Sequence, residues 1–159
     1  MYDQSFFHFE DMEPGRSFEL GPVTVSAEEI IEFARQFDPQ PMHLSEEAGK
    51  ASILGGLAAS GWHTCAILHR MMYDAMISRT ASEGGPGIDY AEWKKPVLAG
   101  DTLTGTCTVL EARPSASRPV IGIVTIENKL YNQRGELVCE TKQPTMIRRR
   151  DHTTAGATA

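Results

Sequence analysis

The chain has few cysteines, no excess of positive charge and no long uninterrupted run of apolar residues. Its three cysteines are far apart among 159 residues, and no group of histidines and cysteines has metal-ligand spacing, so we expect free thiols and no metal site. A formal net charge of −6 gives no overall field that would attract nucleic acid. Charged side chains interrupt the most apolar stretch, residues 53–77, so we expect no membrane span.

The remaining composition is that of an ordinary globular domain, with 41% hydrophobic and 23% charged residues. The N-terminus lacks the basic and apolar segments of a signal peptide, and we therefore expect a cytoplasmic location. We predict one domain over residues 1–150. The small, polar residues 151–159 are predicted to form a disordered tail.

The first helix is the clearest local prediction. Ser26 is a good helix N-cap, and Glu29, three residues later, completes a capping box. Apolar residues then recur on one face of the segment, opposite a face of glutamates. Because the residue before a proline is disfavoured in the α region, this helix should end at Asp38, directly before Pro39. A short helical turn is expected to begin at Ser45.

The rest of the chain changes from one long helical pattern to a series of strands. Residues 57–78 are apolar over most of a helical circumference, which is typical of a helix enclosed by other elements. Residues 18–25 could form an early strand, and beyond residue 88 further strands are predicted over residues 102–109, 120–131 and 136–149. The predicted fold class is α+β, with one long buried helix on a curved antiparallel sheet.

Two residues after the first helix could carry acid–base chemistry. Asp38 and His43 flank residues 39–42, a proline-stiffened loop, and functional groups concentrate on loops. If this segment were extended like polyproline, at about 3.1 Å per residue, the two α-carbons would lie roughly 15 Å apart. Only a bend near Met42 would bring the carboxylate and the imidazole to one reacting atom, and spacing alone leaves this open.

The same segment resembles the hydratase motif of the MaoC-like dehydratases, the (R)-specific enoyl-CoA hydratase family. That motif reads Gly-Asp-x-Asn-Pro-x-His, and residues 37–43 read Phe-Asp-Pro-Gln-Pro-Met-His. Residues 55–64 look like the start of that family's central helix, and the similarity covers roughly residues 8–148. The resemblance implies a hotdog fold, in which a curved antiparallel sheet wraps a long helix. It also implies an acyl-CoA substrate and a homodimer with active sites at the subunit interface.

The resemblance further assigns roles to individual residues. Asp38 and His43 take the places of the catalytic acid–base pair. Gly56 matches the glycine at the start of the central helix, whose backbone N–H binds the thioester oxygen. Thr64 falls where some members carry a serine that hydrogen-bonds near the catalytic aspartate, and Ser60 is a second candidate for that supporting role.

Two departures from the motif bear on the expected reaction. Phe37 replaces its glycine and Gln40 its asparagine, so any hydrogen bond that orients the loop must differ from that of the family. Neither change removes a titrating group, and we expect reversible hydration of a 2-enoyl-CoA without a cofactor. That reaction needs a base, an acid and a group that stabilises charge on the thioester oxygen.

Two other functions remain compatible with the sequence. A hotdog thioesterase would direct the activated water at the carbonyl carbon, since fold alone does not fix the reaction. A non-catalytic acyl-CoA-binding subunit would use neither Asp38 nor His43 as an acid or base. Hydration of an enoyl-CoA, release of free thiol, or binding without turnover would distinguish the three.

An acidic chain needs a local basic group to hold the phosphates of coenzyme A. Arginine forks match phosphate geometry, and the predicted contacts are Arg118, Arg148, Arg149 and Arg150. Lys94 and Lys95 are the next pair. The long apolar helix also leaves more apolar surface than one subunit can hide, which agrees with the homodimer that the resemblance implies.

Overall fold

The computed structural model describes residues 2–150, and the predicted tail over residues 151–159 lies outside the described residues. In chain order, the helices and strands are β1 (Ser17–Thr24), α1 (Ala27–Phe37), α2 (Glu46–Ala51), α3 (Gly61–Ala75), β2 (Tyr90–Trp93), β3 (Thr102–Pro114), β4 (Ile121–Tyr131) and β5 (Leu137–Arg148). Short 3-10 turns also occur at Phe9–Asp11, Pro41–His43 and Ile77–Arg79.

The five strands form one antiparallel sheet in the order β1-β3-β4-β5-β2. β4 and β5 pair along their whole length, from Ile121 opposite Arg148 to Tyr131 opposite Leu137. The predicted strands are confirmed, although β3 continues to Pro114, beyond its predicted end. The sequence pattern does not predict β2, because four residues are too few to show a period of two.

The helix α1 has the ends that its sequence predicts. The Ser26 side chain accepts a hydrogen bond from the Glu29 backbone, and the Glu29 side chain accepts one from the Ser26 backbone. The helix ends at Phe37, so that Asp38 is its C-cap and leaves the α region directly before Pro39. The capping box and the proline therefore fix the position from which Asp38 enters the following loop.

The core lies between α3 and the sheet. α3 buries Leu68, Met71 and Met72, and the sheet contributes Leu103, Ile126 and further apolar residues to the same cluster. This is the α+β, hotdog arrangement that the sequence resemblance implies. Burial of this cluster supplies the main favourable term in folding, at about 25 cal/mol per Å² of apolar surface.

The helix α3 is shorter than the pattern over residues 57–78 predicts. The Ala59 N–H donates to the Val97 carbonyl (2.8 Å) and the Ala99 N–H to the Leu57 carbonyl (2.9 Å), which keeps the chain before α3 out of the helix. At the other end, the backbone leaves the α region at Met76, where φ is −143°. The predicted helix is therefore wrong at both ends, because contacts distant in sequence override the local pattern.

Within the described chain, α3 is covered on one side only. Trp62 and Tyr73 on its other side are 63% and 47% exposed, whereas the sequence pattern predicts a helix enclosed by other elements. Across residues 2–150, each helix is too short or too polar to cross a membrane.

Candidate active site

The loop after α1 bends, and the bend brings Asp38 and His43 together. The Gln40 N–H donates to the Asp38 carbonyl (2.9 Å), and the 3-10 turn Pro41–His43 then reverses the chain. As a result, Asp38 Oδ2 lies 3.6 Å from His43 Nε2. This is the bend near Met42 that the sequence left open, and it replaces the roughly 15 Å α-carbon separation of an extended loop.

The Asp38 carboxylate is held by two neutral hydrogen-bond donors. Ser60 Oγ donates to Oδ2 (2.6 Å), and Gln40 Nε2 donates to Oδ1 (2.8 Å). These two hydrogen bonds, that from Ser60 first, lower the pKa of Asp38 below its usual value, against an opposing effect of burial. Gln40, one of the departures from the motif, thus contacts the candidate catalytic carboxylate directly, and the carboxylate stays ionised.

The His43 imidazole is buried, and one carbonyl group determines its tautomer. Nδ1 lies 2.6 Å from the Ala58 carbonyl oxygen, which can only accept a hydrogen bond, so Nδ1 carries a proton. In the neutral ring Nε2 is then an acceptor, and it faces Asp38 Oδ2. Since 3.6 Å is too long for a direct hydrogen bond, both atoms are available to one reacting molecule.

The N-terminus of α3 begins at Gly61, and this corrects the prediction for Gly56. Ser60 is the N-cap, and its Oγ accepts a hydrogen bond from the Trp62 N–H (3.3 Å). Gly56 lies in the bend before the extended segment, where the next N–H, that of Leu57, donates to the Glu46 carboxylate (2.9 Å). Its N–H is therefore not at the helix N-terminus, because backbone pairing with Val97 delays the start of α3.

Gly61 has a packing reason to be glycine. A Cβ at this position would lie 2.5 Å from the ring of Trp93, so only glycine lets α3 approach that ring. Gly61 lines the cleft beside His43, and the first N–H groups of a helix have no partner within it. The Gly61 N–H and the positive end of the α3 dipole are therefore the candidate anion-stabilising groups of this site.

Ser60 and Thr64, the two candidates for the supporting hydroxyl, do different things. Ser60 contacts Asp38, as described above, whereas the Thr64 hydroxyl donates to the Ser60 backbone carbonyl (3.3 Å). Both side chains are buried, and Thr64 also lines the cleft. The structure thus brings Ser60 rather than Thr64 to the aspartate, because Ser60 is the residue at which the extended segment turns into α3.

The cleft beside His43 has a volume of about 280 Å³ and a mostly apolar wall. Met42, Leu54 and Val97 contribute to this wall. Trp93, which is 47% exposed, lines one side, and Lys94 and Lys95 follow it at the rim. Both lysines pair with carboxylates, Lys94 with Glu92 and Lys95 with Glu136.

The four arginines predicted to hold phosphate do not line this cleft. Arg118 is exposed in the loop between β3 and β4, with its guanidinium 3.8 Å from the sulfur of Met146. The remaining three arginines each contact a carboxylate: Arg148 pairs with Glu83, Arg149 with Glu10 and Arg150 with Asp11. At about 3.4 Å per residue, β5 extends roughly 30 Å from Cys139, opposite Trp93, to Arg148. The sequence grouped these arginines by charge, and the fold separates them from Asp38 and His43.

His63 is a neighbour of the site that the sequence motif does not single out. Its ring stacks on Phe33 of α1, with centroids 4.7 Å apart and 8° between the planes. Nδ1 is buried, and the described residues offer it no hydrogen-bond partner. Burial lowers the pKa of His63, while Glu29 raises it and His43 lowers it further. The signal available in the sequence was its position three residues after the N-cap Ser60, next to the predicted supporting hydroxyls.

The fold and the site together define a hotdog protein with a carboxylate–imidazole pair at the N-terminus of its long helix. The sequence profile of the MaoC-like domain matches residues 10–129, and the chain belongs to the MaoC-like dehydratase family.

Three relatives illustrate the range of this similarity. The uncharacterized protein YdeM of Bacillus subtilis is 31% identical over 135 residues, which cover 85% of this chain and 94% of YdeM. The (R)-specific enoyl-CoA hydratase of Rhodospirillum rubrum is 31% identical over 114 residues, which cover 67% of this chain and 72% of that enzyme. The crystal structure of a MaoC-like dehydratase from Rhodospirillum rubrum superimposes with a TM-score of 0.84 at 41% identity, covering 91% of this chain and 98% of that one.

The two hydroxyls lead to a prediction for the charge on Asp38. Ser60→Ala removes the largest cause of the lowered Asp38 pKa, so the pKa should rise, and loss of the N-cap should destabilise the protein by about 1 kcal/mol. A lowered folded-state pKa stabilises the protein above the ordinary value of 3.8, and this stabilisation is lost as the pH falls through the lowered value. The part of the stability loss that comes from Asp38 should therefore have its full size at neutral pH and become smaller in acid.

The measurements are the NMR titration of the Asp38 carboxyl and urea unfolding at neutral and acid pH. Thr64→Val is the matched control, because it removes a hydroxyl that does not contact Asp38. Ser60→Thr, which keeps a hydroxyl, should restore part of the effect. An unchanged Asp38 titration in Ser60→Ala would show that Gln40 alone keeps the carboxylate ionised.

Proposed function

We propose that the protein is an (R)-specific enoyl-CoA hydratase, which acts in reverse as a 3-hydroxyacyl-CoA dehydratase. The observation that carries this proposal is the pair of atoms Asp38 Oδ2 and His43 Nε2, 3.6 Å apart, beside an apolar cleft that the helix N-terminus also lines. Family membership and the hydratase relative from Rhodospirillum rubrum support the reaction class. The enzyme would use no cofactor, since addition of water changes no net oxidation state.

Asp38 and His43 would act on one water molecule. Its two hydrogens can point to the two acceptors, Oδ2 and Nε2, while its oxygen attacks the β-carbon of the 2-enoyl thioester. Because its pKa is lowered, the Asp38 carboxylate stays unprotonated. His43 Nε2 would therefore take the proton of the attacking water and then deliver it to the α-carbon. Asp38 orients the water and stabilises the imidazolium that forms.

The Gly61 N–H would stabilise the charge that develops on the thioester oxygen. As the β-carbon is attacked, the thioester gains enolate character, and its oxygen becomes the most negative atom of the acyl group. A backbone N–H at a helix N-terminus is already oriented toward such a charge and needs no rearrangement during the reaction. In this proposal Gly61 takes the role that the sequence resemblance gave to Gly56.

The nucleotide part of coenzyme A would lie against Lys94 and Lys95. Both residues line the cleft next to Trp93, and the phosphates would compete with their present carboxylate partners, Glu92 and Glu136. This proposal replaces the assignment of the phosphates to Arg118 and to the Arg148–Arg150 run, whose side chains lie away from the cleft.

A homodimer in the cytoplasm completes the proposal. Phe37, Ile53 and Trp62 are 69%, 102% and 63% exposed, and each adjoins a site residue in the sequence. Large exposed apolar side chains around a binding site are typical of a protein interface. A second subunit would cover them and would help to enclose the acyl group.

Substitution of the acid–base pair tests the reaction. Asp38→Asn and His43→Gln should each lower kcat for hydration of crotonyl-CoA by about 10²- to 10⁴-fold, with circular dichroism unchanged. Because the two groups act as a unit, the double variant should be little worse than either single variant. The loss of enoyl absorbance and the release of free thiol are followed in the same samples, with Gln36→Ala on exposed α1 surface as the control.

Three results would contradict the proposal. Hydration at a near wild-type rate by either single variant would exclude the assigned roles. Thiol release without hydration would identify a thioesterase instead. Calorimetric binding of crotonyl-CoA with no turnover at any pH would identify a binding subunit.

Removal of charge at the cleft rim tests the nucleotide contact. The double substitution Lys94→Ala/Lys95→Ala should raise KM for crotonyl-CoA up to about tenfold at low salt, and less at high salt, with little change in kcat. Arg118→Ala is the matched control, since it removes a positive charge away from the cleft. A raised KM in Arg118→Ala, with KM unchanged in the lysine variant, would restore the arginine assignment.

The oligomeric state is checked by sedimentation equilibrium at micromolar concentration. We expect twice the mass of one chain, and Trp62→Lys should shift the equilibrium toward the monomer because it introduces a charge into the apolar patch. A fully active monomer at this concentration would exclude a shared active site.

A further inference from the structure

Cys65 and Cys139 meet between α3 and β5, one helical turn from the candidate active site. Residues four apart on a helix share one face, so Cys65 lies on the same face as Gly61, which packs on Trp93. Cys139 is the antiparallel partner of Trp93, and directly opposite residues point to the same side of a sheet. Both cysteines therefore lie beside Trp93, and Cys139 and Trp93 are the side chains that lower the pKa of the Cys65 thiol.

The three cysteines have different surroundings. Cys65 is half-buried, whereas Cys107 and Cys139 are buried. Hydrogen bonds from Cys139 and Trp93 lower the pKa of Cys65 to about 7, and the contact with Cys65 raises the pKa of Cys139. Burial raises the pKa of Cys107 to about 12, and its sulfur contacts Met76 (3.6 Å). Cys65 is therefore the thiol with the lowered pKa, and Cys139 is the neighbour with the largest effect on it.

We propose that Cys65 and Cys139 form a peroxide-sensitive dithiol, which closes to a reversible disulfide between α3 and β5. This site is separate from Asp38 and His43, and its chemistry does not depend on the proposed hydration. It uses two thiols that the hydration mechanism leaves without a role.

The reaction has two balanced steps. In the first, the Cys65 thiolate attacks one oxygen of hydrogen peroxide, so that an S–O bond forms, the O–O bond breaks and hydroxide leaves. In the second, the Cys139 sulfur attacks the sulfur of this sulfenic acid, so that the S–S bond forms and the S–O bond breaks. The leaving hydroxide takes up the proton of the Cys139 thiol and becomes water. The two thiols lose two electrons in total, and hydrogen peroxide is reduced to two molecules of water. A small thiol or a dithiol reductant reverses the change by exchange.

The disulfide would act on the cleft through Trp93 and the first turns of α3. Trp93 and Thr64 line the cleft, and they adjoin the two cysteines through the strand pairing and the helix, respectively. A covalent link that draws α3 toward β5 must move the contact between Gly61 and Trp93, where there is no room for a single additional carbon. We therefore expect oxidation to lower the hydration activity, and this second statement rests on the proposed function.

The test treats the full-length protein with hydrogen peroxide at pH 7.5 and blocks the remaining thiols with N-ethylmaleimide. The thiol titre should fall from three to one, the intact mass should fall by two hydrogens, and peptide mapping should find Cys65 joined to Cys139. Without oxidant, alkylation of Cys65 by iodoacetamide should rise with a midpoint near pH 7.

Single variants distinguish the pair from general oxidation. Cys107→Ser is the matched control and should still lose two thiols, whereas Cys65→Ser and Cys139→Ala should form no intramolecular disulfide. In Cys139→Ala the sulfenic acid on Cys65 should persist and react with dimedone. This labelling can be measured even if the substitution of the buried Cys139 lowers stability.

Two outcomes would overturn the redox site. The first is a wild-type protein that keeps all three thiols after treatment. The second is oxidation of Cys65 that stops at the sulfenic acid although Cys139 is present. Disulfide formation with unchanged hydration would leave the redox site standing and refute only its effect on activity. The Asp38→Asn variant keeps both thiols, so it should still form the disulfide although its hydration activity is lost. The proposed function and the redox site are therefore tested separately.

Discussion

The backbone pairing between residues 57–59 and residues 97–99 determines where α3 begins, and the geometry of the site depends on it. The paired segment presents the Ala58 carbonyl to His43 Nδ1, and it ends at Ser60, whose hydroxyl reaches Asp38. If α3 began at residue 57, as its apolar pattern predicts, the Ala58 carbonyl would accept a hydrogen bond within the helix. Ser60 would then lie inside the first turn rather than cap it. A few backbone hydrogen bonds beside the cleft thus position the Ala58 carbonyl, the Ser60 hydroxyl and the start of α3.

Two neutral donors have the largest share in stabilising the charge on Asp38. The hydroxyl of Ser60 and the amide of Gln40 keep the carboxylate ionised in a chain whose net charge is already −6. The Ala58 carbonyl occupies His43 Nδ1, which leaves Nε2 as the ring nitrogen that faces Asp38. This division of charge suits a site where one group must accept a proton and then release it.

One aromatic ring, that of Trp93, lies beside both the start of α3 and the cysteine pair. Trp93 packs on Gly61 at the start of the helix, and it lowers the pKa of Cys65 one turn later. The ring also lines the cleft, so the proposed disulfide would act on the cleft through this ring. Glycine at position 61 makes this close packing possible, and the same residue lines the cleft at the start of α3.

The sequence by itself determined the elements whose signals lie within a few residues. The capping box of Ser26 and Glu29 and the proline after Asp38 fixed both ends of α1, and alternation of apolar residues fixed the long strands. The hydratase motif selected Asp38 and His43 but not their separation, because a loop of this composition can be extended or bent.

Only the tertiary structure decided the partners of these residues. Ser60 reaches Asp38 across 22 positions of the chain, the Ala59–Val97 hydrogen bond delays the start of α3, and strand pairing brings Cys139 beside Trp93. It also placed Gly61 rather than Gly56 at the start of α3 and kept the arginine run out of the lining of the cleft. The physical reason is the same in each case: local patterns record the conformational preferences of near neighbours. Hydrogen bonds and packing between distant segments exist only after the core has brought those segments together.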